Sequence, residues 1–345
     1  MADTVLVTGG TGFVAGWCIV ELLRQGYRVR TTLRSLSRQQ AVREAVSAEV
    51  DPGDRLSFAL ADLTSDAGWA DAVAGCDYVL HVASPLGAEA PKDPDALIVP
   101  ARDGTLRVLR AATGAGVRRV VMTSACAAAT PPLAGRGGGV RRRHSPDSVS
   151  DETRWTDTAD PTLTAYRKSK AVSEQAAWQF MRDYDGPTTL TTILPGAVFG
   201  PVLPATNRGS VEVIGRLLRG MPGTPRIGFE VVDVRDLADL HVRAMTSPEA
   251  AGQRFIAAGE FLWMAQIARE LRTGLGTAAR KVPTRRLPDF LVRLLARVDP
   301  GIRAVVPYLG RQHLHTAQKA WQVLRWRPRP AATTLIDCAR SLARA

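Results

Sequence analysis

Val7-Thr8-Gly9-Gly10-Thr11-Gly12-Phe13-Val14-Ala15 is the stretch that decides the fold. Ahead of it, Thr4–Thr8 is a short β-rich run. Behind it, the helical spacing of Phe13, Val14, Cys18, Val20, Leu22 and Leu23 predicts a helix over 13–25, stopped by Gly26. A glycine-rich turn between a strand and a helix is the context that dinucleotide binding demands. Gly9 permits a tight turn, Gly12 lets the backbone approach a pyrophosphate, and Ala15 is small enough for the helix to pack on a sheet. The helix start offers free N–H groups and a partial positive charge to phosphates. Gly9, Thr11, Gly12, Phe13 and Val14 are therefore candidate cofactor contacts, spaced G-x-x-G-x-x-A rather than G-x-G-x-x-G.

Outward from this turn, apolar runs alternate with amphipathic stretches. Strands are predicted at 27–33, 56–60, 78–82 and 119–123, and helices near 37–48, 67–73 and 95–115. The alternation implies an α/β fold of Rossmann type, a doubly wound parallel sheet covered on both faces. Residues 131–150 are rich in Pro, Gly, Arg and Ser and read as a long loop, with the arginine-rich stretch 136–143 of unassigned role. A helix at 163–183 and a strand at 190–194 follow. Beyond Gly200 the pattern is less regular, with helices expected near 209–219, 234–246, 262–274 and 287–297. This division gives a nucleotide-binding domain at 1–200 and a smaller, mostly helical substrate-covering region at 201–345, with 229–246 packing back on the first.

The 345 residues carry 45 Lys+Arg against 33 Asp+Glu, a net charge of +12, and only five of the basic residues are lysine. Such a balance fits nucleic acid, a membrane surface or an anionic small molecule. The chain has no nucleic-acid recognition motif, and no run approaches the roughly 18 apolar residues of a membrane span. Its four cysteines form no CxxC pair and read as buried thiols in a reducing compartment, and the chain start does not resemble a signal peptide. The expectation is a cytoplasmic protein, monomer or homodimer, with no metal: His144, His241, His313 and His315 lack metal-ligand spacing, and the last two read as surface residues.

Strand two ends at Leu33-Arg34, where NAD-preferring proteins place an acid for the ribose hydroxyls. Arg34 suits a 2′-phosphate instead, with Arg38 near enough to assist, which points to NADPH/NADP+. Asp62 and Leu63 follow strand three and would flank adenine. Val82, Ala83 and Ser84 follow strand four and would lie beside the cofactor at the carboxyl edge of the sheet. In Tyr166-Arg167-Lys168-Ser169-Lys170 the tyrosine and Lys170 share a helix face, and a cation beside a phenol favours the phenolate. These two are the catalytic candidates.

Several segments together resemble the extended short-chain dehydrogenase/reductases: TGGTGFV at 8–14, RVRTTLR at 28–34, HVASP at 81–85, DETRWTD at 151–157, SKAVSEQAAW at 169–178, ILPGAVFGP at 193–201 and FEVVDVRDLADLH at 229–241. Within them the chain is most similar to the dihydroflavonol reductase and cinnamoyl-CoA reductase group and related bacterial aldehyde and ketone reductases. The resemblance implies hydride transfer from NADPH to the carbonyl carbon of a small organic or secondary-metabolite substrate. It implies Tyr166 as proton donor supported by Lys170, and Pro195 and Val198 lining the nicotinamide site.

Two departures qualify the likeness. The family's fifth strand usually ends T-S-S, but here it reads Thr123-Ser124-Ala125. A gapless match puts Ala125 where the serine that binds the substrate carbonyl belongs. Ser124 is then the catalytic candidate one residue early, which strand alternation turns to the other face; Thr123, a water, or Tyr166 alone are the alternatives. The aromatic-rich signature of cinnamoyl-CoA reductases around the tyrosine is missing from Thr164-Ala165-Tyr166-Arg167-Lys168. A sugar-nucleotide epimerase or dehydratase, a hydroxysteroid-type dehydrogenase and a non-catalytic NADP(H)-binding regulator share the fold and are the other readings.

Overall fold

Each predicted strand of the first half forms where its apolar run lies. The computed structural model describes residues 2–85, 93–131, 149–161, 163–204, 206 and 209–343. In chain order these give β1 (Thr4–Val7), α1 (Phe13–Arg24), β2 (Arg28–Leu33), α2 (Gln39–Ser47), β3 (Leu56–Leu60), α3 (Trp69–Val73), β4 (Tyr78–His81), α4 (Asp95–Gly114) and β5 (Arg119–Thr123). Then come β6 (Val149–Ser150), α5 (Ala165–Arg182), β7 (Thr189–Pro195), β8 (Ala197–Phe199), α6 (Glu212–Arg219), β9 (Gly228–Asp233), α7 (Val234–Thr246) and β10 (Arg254–Ala257). The chain ends through β11 (Phe261–Trp263), α8 (Met264–Leu275), α9 (Asp289–Leu295), α10 (Pro300–Val305), β12 (Leu314–His315), α11 (Gln318–Leu324) and α12 (Ala331–Leu342).

The main sheet has seven strands in the order β10-β7-β5-β4-β1-β2-β3, and every pair is parallel. The order reverses between β1 and β4, the switch point at which such sheets bind ligands. A second sheet, β11-β9-β8, and a two-stranded pair, β12-β6, lie outside it. The helices expected beyond Gly200 form, but β8 just before it and β9, β10 and β11 between the helices were not anticipated. The reason is physical. β8 and β11 are three residues long, too short to show a period, and β10 begins with a buried arginine that interrupts its apolar run.

One hydrophobic cluster runs from Val5 to Ala339 and joins α1, α7, α8 and α12, with α7 lying against α1. Trp326 is buried in it and donates from Nε1 to the Asp236 carbonyl at 2.7 Å. All four cysteines are free and buried. Among the described residues no helix is long and apolar enough to cross a membrane. Most of the loop expected at 131–150, including its arginines, lies outside the described residues.

A buried ion pair fastens this frame. Glu174 of α5 is fully buried and receives Arg254 Nε at 2.8 Å and Nη2 at 3.2 Å. It also accepts the hydroxyls of Ser124 at 2.6 Å and Thr192 at 2.7 Å. Arg254 in turn caps the carbonyls of Glu152 at 2.6 Å and Arg154 at 2.8 Å, and its guanidinium lies 3.7 Å from the Trp155 ring centroid. Glu174→Leu strands this cation and should cost about 3–5 kcal/mol in urea unfolding. The double variant with Arg254→Met should recover much of that loss, whereas simple additivity of the two single losses would contradict the pairing.

Candidate functional site

The turn after β1 is held open by its own backbone. Gly9 has φ +77°, and a Cβ there would meet the Ala83 Cβ at 2.9 Å, so both conformation and space demand glycine. Gly9 N donates to Thr32 Oγ1 at 2.9 Å, and Gly12 N to the Gly9 carbonyl at 2.8 Å. Gly12 caps α1 without a side chain, and the first turn carries no acid. The first N–H groups of α1, at Phe13 and Val14, thus face an uncluttered cradle beside Thr11 that suits a pyrophosphate. Ala15 is buried against the sheet, as its place in the motif requires.

Arg34 is exposed just past β2 and helps hold the Asp62 carboxyl below its usual range, after the larger effect of the Thr64 N–H. Asp62 Oδ1 accepts Thr64 N and Oγ1, both at 2.8 Å. Leu63 packs over Gly104 of α4, where a Cβ would lie 2.8 Å from its own. Arg38 closes the short helical turn that follows Arg34 and is exposed.

At the end of β4, Thr8 Oγ1 accepts Val82 N at 3.0 Å and Ala83 N at 2.9 Å, so its hydrogen goes to His81 Nδ1 at 3.0 Å. His81 Nε2 lies 3.4 Å from Thr105 Oγ1, which donates onward to the Ala101 carbonyl at 2.9 Å. This chain assigns a neutral, Nε2-protonated imidazole. Burial, aided by Lys170, lowers its pKa to about 3. Thus 82–84 are set by a buried polar string joining β1, β4 and α4, with Ser84 half-buried beyond it.

Thr164 caps α5 through the Arg167 N–H, which places Tyr166 in the first turn. Tyr166 remains 43% exposed, and its hydroxyl has no partner among the described residues. Burial of its ring edge, with Cys126 and Tyr308 nearby, raises its pKa, so the phenol is protonated at neutral pH. Lys170, one turn on, is buried, and Nζ donates to the Thr123 carbonyl at 3.4 Å. Desolvation brings its pKa down to about 8 against the opposing pull of Glu174. Pro195 ends β7 beside Ala257 of β10, and Val198 sits half-buried in β8.

The hydroxyls near the end of β5 are already engaged. Ser124 donates to Glu174, in line with strand alternation, so its hydrogen is not free for a substrate carbonyl. Thr123 faces α7: His241 Nδ1 gives its hydrogen to the Leu237 carbonyl at 2.7 Å, so Thr123 donates to Nε2 at 2.8 Å. Thr130 donates to the Cys126 carbonyl at 2.7 Å. Ala125 is buried where a serine would stand.

Sequence spacing did not anticipate a second group of side chains beside Tyr166. His315, expected on the surface, is buried: its N donates to Glu230 Oε1 at 2.6 Å, and Nδ1 lies 2.5 Å from Oε2. Cys126, Glu230 and His315 place donor atoms within 4.8 Å of one another, but the imidazole and carboxyl hydrogen-bond to each other and the thiol donates to the Leu194 carbonyl at 3.2 Å. His313 and Tyr308 lie in the same region, around Arg167. Glu230 and His315 are 85 residues apart in the chain, and Cys126 lies farther still from both, so no local pattern could reveal the group.

Residues 5–258 match the NAD dependent epimerase/dehydratase family. The chain is 34% identical over 282 residues to cinnamoyl-CoA reductase CAD2 of Medicago truncatula, covering 80% of this chain and 82% of that one. It is 31% identical over 281 residues to an anthocyanidin reductase ((2S)-flavan-3-ol-forming) of Vitis vinifera, covering 78% and 80%. Its fold superposes on yeast methylglyoxal/isovaleraldehyde reductase Gre2, solved with NADPH, with a TM-score of 0.79 at 24% identity over 99% of this chain and 98% of that one. The parallel sheet, its glycine turn and the Tyr–Lys helix define a nucleotide-binding oxidoreductase fold; the protein belongs to the NAD dependent epimerase/dehydratase family, in its extended short-chain dehydrogenase/reductase branch.

Burial also lowers the His241 pKa to about 4. Three histidines, His81, His241 and His313, have lowered pKa values, so they stay neutral in the fold but take up protons near pH 6.5 when unfolded, which makes stability fall with acid. Their contribution to stability should be level above pH 7 and drop by about 2 kcal/mol per histidine between pH 7 and 5. Urea titrations at both pH values check this; in His241→Asn the drop should shrink by about 2 kcal/mol.

Proposed function

We propose that the protein is an NADPH-dependent reductase of a ketone or aldehyde carbonyl on a small organic or secondary-metabolite substrate. It is an oxidoreductase of the extended short-chain type, and the observation that carries the finer reading is the Tyr166 hydroxyl. It is protonated, accessible and unpartnered among the described residues, one turn from a buried lysine whose pKa is near 8. A neutral phenol is the form that donates to a carbonyl oxygen, as reduction requires.

The glycine cradle fits a pyrophosphate because Gly9 holds a turn that a side chain would break against Ala83, and Gly12 opens α1 with no side chain and no acid in its first turn. Gly9, Thr11, Gly12, Phe13 and Val14 would hold the phosphates, Arg34 and Arg38 the 2′-phosphate, and Asp62 and Leu63 the adenine. Val82, Ala83, Ser84, Pro195 and Val198 would border the nicotinamide. The cofactor, when bound, supplies the hydride. Tyr166 gives the carbonyl oxygen its proton, and Lys170 favours the resulting phenolate and returns a proton to it. Ser124 and Thr123 are positioning residues here, since Glu174 and His241 take their hydrogens. The carbonyl oxygen is then met by Tyr166 as the sole hydroxyl donor.

The engaged hydroxyls and Ala125 give some support to a second reading, a nucleotide-binding regulator without turnover. A carbonyl panel with NADPH and NADH, followed by absorbance, separates the two. Turnover should prefer NADPH, Arg34→Asp should erase that preference, and Tyr166→Phe should slow reduction by about 10²–10⁴-fold. NADPH binding with no turnover on any carbonyl would leave the regulator.

The buried alanine makes a further test. Ala125→Ser restores a donor at the expected place, and one such donor is typically worth about 10²–10³ in rate. The variant should raise kcat at least tenfold on the best carbonyl; an unchanged kcat would place the oxygen elsewhere.

A further inference from the structure

Three arginines are buried among the described residues: Arg119, Arg167 and Arg254. Two of them are fully occupied. Arg254 has Glu174 and three carbonyls, and Arg119 has Thr189 and the carbonyls of Ala244, Met245 and Ser247. Arg167 is the exception. It is 8% exposed, its Nη1 is buried with no hydrogen-bond partner, and its guanidinium makes no ion pair among the described residues. Its guanidinium lies over the Tyr308 ring, 5.7 Å from Cζ to centroid. A buried cation without an acceptor is costly, and such a group persists where something else supplies the acceptor.

A second unpartnered donor lies in the same place. His313 Nε2 is buried and has no partner. Burial, with Arg167, His315 and Arg311 as neighbours, lowers its pKa to about 4. The imidazole is therefore neutral and, as the Nε2–H tautomer, a hydrogen-bond donor. The pair belongs to the surroundings of Tyr166: Tyr308 perturbs the Tyr166 phenol, and its hydroxyl lies 3.3 Å from that of Thr164, the cap two residues before it.

We infer that Arg167 and His313 form a carboxylate-binding subsite, and that the preferred substrate is a carbonyl compound carrying a carboxylate. A planar guanidinium edge recognises a planar carboxylate with two parallel N–H bonds, and one cation with one neutral donor matches a single negative charge. The Tyr308 ring lies beside the guanidinium, 5.7 Å from centroid to Cζ. The inference rests on the reductase reading, which places the reacting carbonyl at Tyr166.

The test uses the full chain with NADPH and two pairs of carbonyls: 4-formylbenzoate with its methyl ester, and succinic semialdehyde with its methyl ester. In the wild-type protein at least one acid should exceed its ester at least tenfold in kcat/KM, mainly through KM. In Arg167→Met the acid-to-ester ratio should fall to near one, and Arg167→Lys should keep part of it. Equal rates for acid and ester in both pairs, or a ratio that survives Arg167→Met, would overturn the subsite. Without ligand, Arg167→Met should unfold at the wild-type temperature or above, because an uncompensated buried charge is gone. A loss of more than about 2 °C would make Arg167 structural and sink the idea. If none of the four carbonyls is reduced, the reductase reading fails on its own. Calorimetric titration with 4-formylbenzoate then decides the subsite: binding weakened at least tenfold by Arg167→Met upholds it, and no binding rejects it.

Discussion

The contact between Glu174 and Arg254 is the constraint on which the site depends. Burying both charges is tolerable only because every remaining donor and lone pair finds a partner, from Ser124 and Thr192 on one side to the carbonyls of Ala128, Glu152 and Arg154 on the other. Those partners come from β5, β7, the turn after β5 and the segment 152–154. Glu174 stands on α5 one turn beyond Lys170, and Arg254 begins the edge strand β10. The pair therefore sets how α5 sits against the carboxyl edge of the sheet, and with it the place of Tyr166 and Lys170. A local shift of β10 would be felt at the proton donor through this one contact.

The same logic of complete satisfaction explains which groups are left to do chemistry. Thr8, Thr105, Thr123, Ser124 and Thr130 each have a named acceptor for their hydrogen, so the carboxyl edge of the sheet is rigid and chemically quiet. Among the described residues, groups without partners stand out against that background: the Tyr166 hydroxyl, the backbone N–H groups opening α1, Arg167 and His313, with Ser173 Oγ on α5 besides. Open valences gathered at one end of an otherwise satisfied sheet are what a ligand would complete.

Much of this was legible in the chain. The glycine turn, the alternation through β5, the α5 span and the common face of Tyr166 and Lys170 all rest on local spacing, which sequence displays directly. The Ser124 outcome was legible too, since a strand alternates sides whatever its partners. The limits have one cause. β10 is unreadable because Arg254 belongs to a pair 80 residues away. His315 looked like a surface residue because Glu230, which takes its N–H, lies 85 residues back. Sequence shows periodicity, and it conceals which distant group will neutralise a charge.

The net charge of +12 takes on a different meaning in this light. Arginine reaches backbone carbonyls that lysine's single ammonium would serve poorly, because its planar fork carries five donors. Arg30 donates to Ala72 and Ala74, Arg43 to Leu56, Arg55 to Leu23, and Arg272 to Val282, each closing the end of a helix, strand or turn. The positive excess is thus partly architecture: guanidinium groups do in this chain what capping side chains and shorter loops do elsewhere. Arg167 differs from these in combining burial with the want of an acceptor: it is 8% exposed, and its Nη1 has no hydrogen-bond partner. In a molecule that turns so many guanidinium groups onto its own backbone, a buried one without an acceptor is where a group from outside would complete the pattern.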